Sequence, residues 1–85
     1  MEMMNFTYRA NEYQALIKQQ EKGEAIHFKF TIMNGGLEAL MHGCNKVVFQ
    51  NGKFTFNEQS TPEQQEVLCA VCRSILQLIK GPVIF

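Results

Sequence analysis

Between Ala25 and Met33 apolar and polar residues alternate without a break. Ile26, Phe28, Phe30 and Ile32 fall on one side, and His27, Lys29 and Thr31 on the other. A period of two sets one group against a core and the other in water, so the segment predicts a β-strand. Met4, Phe6 and Tyr8 alternate in the same way and predict a short strand near the N-terminus. Val47-Val48-Phe49-Gln50 and Lys53-Phe54-Thr55-Phe56 flank Asn51-Gly52. Two extended runs around Asn-Gly predict a hairpin, because both central positions of a type I′ turn need positive φ. Its register would place Val47, Phe49, Phe54 and Phe56 on the core side, and Lys46, Val48, Gln50, Lys53 and Thr55 outward.

Two stretches carry helix signals instead. Asn11 followed by Gln14 fits a capping box, which predicts a helix over 12–22 with Tyr13, Leu16 and Ile17 as its apolar face and Gly23 as its left-handed stop. Thr61-Pro62-Glu63-Gln64 supplies a cap, a proline at the first helical position and a closing glutamine. The second helix would run to about Lys80, where Gly81-Pro82 ends it before the apolar tail Val83-Ile84-Phe85. A single helical turn over 37–42 is expected after Asn34-Gly35-Gly36. The predicted class is α+β: a small antiparallel sheet of three to four strands with a central Asn-Gly hairpin, packed against two helices. The expected order is (β)-α-β-β-β-α-(β), with residues 1–85 as one domain.

Composition narrows the chemistry. Eight basic residues balance eight acids, which argues against a histone-like polyanion binder and against an acidic mimic of DNA. Every acid is Glu. An aspartic-protease dyad, a Walker-B metal ligand and a triad oriented by Asp are therefore excluded. The N-terminal residues lack the basic flank and apolar run of a secretory signal, and no apolar stretch approaches the roughly 18 residues needed to cross a bilayer. Three cysteines do not make a disulfide scaffold. Reduced thiols, a cytoplasmic location and no membrane are the expectation.

Five features bear on function. His42, Cys44, Cys69 and Cys72 form a paper Cys3His zinc set, weighed against the commoner reading of Cys69 and Cys72 as small buried residues on a helix, so no metal is expected. Cys44 beside His42 or His27 could serve a cysteine nucleophile, but neither histidine is placed by pattern. Asn34-Gly35-Gly36 lacks the residues that turn a glycine loop into a phosphate cradle. His27, Lys29, Lys46 and Lys53 project from the outer sheet face with no carboxylate between them, a positive patch without the aromatics that RNA-binding sheets present. The long helix is the last feature, with apolar residues covering more than half its circumference; Leu76, Ile84 and Phe85 are candidates for a protein contact.

With no catalytic or cofactor motif, the chain reads as a non-enzymatic, cytoplasmic protein-binding module that meets a protein partner or a second copy of itself. Small motif-free α+β domains of this type are common among phage or mobile-element accessory proteins that inhibit a host factor, an analogy of type only. The alternative is a nucleic-acid-associated regulator that uses His27, Lys29, Lys46 and Lys53.

Overall fold

The computed structural model describes residues 2–56 and 59–80, with the backbone alone for Ile79 and Lys80. Its elements are β1 (Glu2–Tyr8), β2 (Asn11–Lys22), β3 (Ala25–Ile32), α1 (Gly35–Leu40), β4 (Lys46–Gln50), β5 (Lys53–Thr55) and α2 (Pro62–Lys80). The five strands form one antiparallel sheet in the order β1-β2-β3-β4-β5, so each strand lies beside its neighbour in the chain. The class is α+β, as the alternation implies.

The segment over 12–22 is a strand, which corrects the helix expected there and makes the order β-β-β-α-β-β-α. As a strand it turns Ala15 and Ile17 inward, where they are buried, and half-buries Tyr13 on the same face. β2 is paired on both sides, with Met4 opposite Ala15 and Ala15 opposite Ile32. Two ladders and a buried face outweigh the modest helix propensity of its Gln, Lys and Glu residues. Gly23 does adopt positive φ, +62°, but in the two-residue connection between Lys22 and Ala25, which are paired. A left-handed glycine serves a hairpin turn as readily as a helix stop.

The core forms between the inner sheet face and α2. Met4, Phe6 and Tyr8 of β1, Phe28, Phe30 and Ile32 of β3 and Val47 of β4 are buried there with Val67, Leu68, Val71 and Ile75 of α2. Each large side chain so enclosed contributes roughly 1.5–3 kcal/mol of transfer free energy. Phe49, Phe54 and Phe56 are half-buried against the same cluster, and the Phe49 and Phe54 rings lie 4.8 Å apart between centroids. Phe49 is opposite Phe54 and Gln50 opposite Lys53, with Asn51 and Gly52 at φ +55° and +75°.

Both helices begin at a side-chain cap. Asn34 Oδ1 accepts from the Leu37 amide at 3.1 Å at the start of α1. In α2 the Gln64 amide donates to Thr61 Oγ1 at 3.1 Å while the Thr61 amide donates to Gln64 Oε1 at 2.9 Å, a reciprocal capping box. Three positions of α2 differ from the helical arc read from sequence, one of them Leu78, which falls on the apolar arc and is exposed. Ala70 is buried rather than exposed, and Cys69 is exposed rather than in the core. The apolar set is so wide that its centre cannot be fixed by counting; packing against β1 rotates Ala70 inward. The terminal strand expected over 83–85 lies outside the described residues.

Candidate functional site

The registers of β2, β3 and β4 line up side chains on the outer face of the sheet. Lys18 is opposite Lys29, and Lys29 is opposite Lys46. Opposed residues share a face, so three ammonium groups stand in one row across three adjacent strands. The next row along the strands holds Gln20, His27, Val48 and Thr55, and the one after it Lys22, Ala25, Gln50 and Lys53. Lys18, Lys22, Lys29, Lys46 and Lys53 are all exposed, and His27 is half-buried. Five of the chain's eight basic residues therefore occupy one face of a neutral protein.

Carboxylates are distributed elsewhere. Glu38, Glu63 and Glu66 are on the helices, and Glu21 alternates to the inner side of β2. Glu12 shares the outer face, but it stands opposite Thr7 at the far end of β2, about 20 Å along the strand from Lys18. The one ion pair among the described residues joins Arg9 to Glu66 on the other side of the molecule. Among the described residues no lysine of the row makes an ion pair, although Lys18 borders a cavity with Glu2 and Glu21. Like charges directly opposite one another destabilise a sheet, an effect that solvent screens at these exposed side chains but does not abolish. The lysines and His27 border a groove of about 180 Å³ on this face.

Beside the lysine row lies an apolar one. Met3 is opposite Leu16, and Leu16 is opposite Thr31. Met33 reaches the neighbouring position, its amide donating to the Gln14 carbonyl at 2.8 Å. Met3 is 50% exposed and Met33 54%, the two most exposed large apolar side chains described, and Leu16 is half-buried. Among the described residues, no phenylalanine, tyrosine or arginine projects from this face.

No protein-family model, curated protein or solved structure matches the chain. The site must be read from its own chemistry.

Of the residues anticipated for a basic face, His27, Lys29, Lys46 and Lys53 all stand on it. Lys18, Gln20 and Lys22 were missed because a helix over 12–22 would have scattered them. The signal that could have found them is the alternation of Tyr13, Ala15 and Ile17, followed by a glycine two residues before the strongest strand of the chain. Leu76 is half-buried on α2, whereas Leu78 is 45% exposed. Leu78 closes one side of a second cavity, about 590 Å³, whose other walls include Ile17, Ile26 and Phe28. Ile84 and Phe85 lie outside the described residues.

The paper zinc set does not assemble: among the described residues no three His, Cys or Glu side chains converge on a point that could hold a metal. His42 is exposed, while Cys44 is buried with its thiol donating to Gln64 Oε1 at 3.4 Å. Cys72 is buried, and desolvation, followed by the neighbouring Cys69, pushes its pKa up to about 12. A thiol held protonated is a poor nucleophile and a poor ligand. The Asn34-Gly35-Gly36 loop leads into a six-residue helix whose Leu37 amide is already taken by Asn34. No helix among the described residues is long and apolar enough to cross a membrane.

Proposed function

We propose that the chain is a protein-binding module whose contact surface is the outer face of its sheet and whose partner is an acidic protein. The observation that carries this reading is the row Lys18–Lys29–Lys46, unpaired among the described residues, beside the half-buried Leu16 and the exposed Met3 and Met33. A charged row that destabilises the free protein is relieved when a partner supplies opposite charge, and such complementarity steers encounter and sets register. Methionines at the margin suit a contact that must adapt to another protein's surface. Acting by occupation of a partner's surface is the mode expected of an accessory protein that inhibits a host factor, and it requires no cofactor.

A nucleic-acid partner is the second reading, because an exposed lysine face also answers phosphate. Among the described residues the face presents no phenylalanine or tyrosine for base stacking and no arginine for bidentate phosphate contacts, which favours the protein. A photo-crosslinking residue at Thr31, exposed opposite Leu16 and beside the lysine row, separates them in the producing cell. The expected adduct is destroyed by protease and not by nuclease, and it is lost when Lys18, Lys29 and Lys46 are changed to Glu. A nuclease-sensitive adduct assigns the face to nucleic acid. An adduct indifferent to the triple substitution removes the lysine row from the function.

A further inference from the structure

Resting on the reading of the sheet face as a contact for an acidic protein, we infer that the partner element is an acidic amphipathic helix laid across the strands. The spacing of the lysine row carries the inference. Neighbouring strands are about 4.8 Å apart, so the positions of Lys18, Lys29 and Lys46 span about 9.5 Å perpendicular to the strands. On an α-helix, acidic residues at i, i+4 and i+7 lie on one side and span about 10.5 Å along the axis. Three same-face residues of an extended chain span about 13.5 Å and overshoot the row. The helix therefore matches the spacing of the lysine row more closely than an extended acidic segment does.

The apolar row supplies the second half of the match. Leu16 is two residues from Lys18 along β2, which places the Met3–Leu16 row about 6.7 Å from the lysine row and parallel to it. A helix is about 10 Å across, so one lying over both rows meets lysines along one flank and Leu16 and Met3 along the adjoining stripe, with Met33 at its margin one rung farther out. That pairing of an acidic stripe with an apolar stripe is the amphipathic pattern a partner helix would carry. The direction follows as well: the helix runs across β2, β3 and β4 rather than along any one of them, with Met3 of β1 at one end, leaving the α2 side of the molecule free.

Synthetic peptides test this with the purified protein. The probe carries Glu at i, i+4 and i+7 and Leu on the adjoining stripe; its control has the same composition with a central proline, and poly-glutamate serves as an unstructured polyanion. The helical peptide is expected to bind at least about tenfold more tightly than the proline control and to gain helical circular dichroism on binding. Lys18→Glu with Lys29→Glu and Lys46→Glu should abolish the binding, and Arg at all three positions should retain it. Leu16→Ser with Met33→Ser should weaken the helical peptide without changing its dependence on salt. Equal affinity for the helical and proline-broken peptides, or binding of poly-glutamate alone through the same lysines, overturns the helix while leaving the acidic-partner reading intact. Failure of all three probes to bind the folded protein overturns both.

Discussion

Arg9 ties the β1–β2 turn to α2 by donating from Nε to Glu66 Oε1 at 3.2 Å and from Nη2 to Glu66 Oε2 at 2.9 Å. The hydrogen bond, more than the charge alone, holds the Glu66 carboxyl below its ordinary value of 4.5. A carboxyl depressed in the folded state contributes stability that is present above the unfolded pKa and lost as pH falls through the folded one. The contribution is small and screened by salt, since about half of each side chain is in solvent. The melting temperatures of the wild type and Glu66→Gln should therefore differ slightly at neutral pH and converge in acid, below the usual carboxylate range. A difference that persists undiminished once the carboxyl is protonated means the pair does not stabilise the turn.

That turn is strained. Arg9 and Ala10 have φ of +49° and +63°, two consecutive non-glycine residues in the left-handed region. Each such residue costs on the order of 1 kcal/mol. Ala10 is exposed, so its methyl group has little packing to lose. Ala10→Gly is expected to stabilise the protein by roughly 0.5 kcal/mol, the relieved strain less the added freedom of the unfolded chain. Thermal unfolding should show a melting point higher by about 2–4 °C. A lower melting point would show that the backbone at Ala10 is not under strain.

The same turn explains why part of the fold was hidden from the sequence. Arg9-Ala10 carries no glycine or asparagine, so nothing marks a hairpin between Tyr8 and Asn11, and Asn11 with Gln14 imitates a helix start. In the folded chain Asn11 Nδ2 instead donates to the Arg9 carbonyl at 3.2 Å, a local bond that serves the turn. Where turn chemistry and alternation agree, as at Ala25–Ile32, sequence and structure coincide. The Thr61–Gln64 cap was equally legible because all its partners lie within four residues. The basic face was half legible: Lys29 was read outward from its own strand, but its alignment with Lys18 depends on a ladder between β2 and β3 that no local signal encodes. Cys69 and Ala70 show the same limit on a helix, since the choice between adjacent small residues is made by what α2 packs against.

Gln64 joins three elements. Besides the capping bond to Thr61, its Nε2 donates to the Leu40 carbonyl at the end of α1 at 2.8 Å, and its Oε1 accepts from the Cys44 thiol. Removing the amide leaves the Leu40 carbonyl and the Thr61 amide without their partner at a half-buried site. Gln64→Ala should cost about 1–3 kcal/mol, more than the loss of an exposed cap, because the part-buried Leu40 carbonyl and the buried Cys44 thiol lose their partner as well. Gln64→Glu keeps the acceptor for Thr61 but cannot donate to Leu40, so it should recover only part of the loss. Chemical denaturation of the two variants measures this; full recovery by Glu would show that the bond to α1 contributes nothing.

The three thiols should react in two classes. Cys69 is exposed on α2, whereas Cys44 and Cys72 are buried. The thiolate is the reactive form, and burial keeps Cys72 protonated well past neutral pH. A chromogenic disulfide reagent at mildly alkaline pH should therefore titrate one thiol quickly in the native protein and the other two only after denaturant is added. Cys69→Ser should erase the fast phase and leave the melting point unchanged. Cys72→Ser should leave the fast phase intact but lower stability by roughly 1–3 kcal/mol, because a hydroxyl replaces a weakly polar thiol in an apolar site. Rapid reaction of two thiols in the native state would place Cys72 at the surface, and the rotation of α2 that buries Ala70 beside β1 would then be wrong.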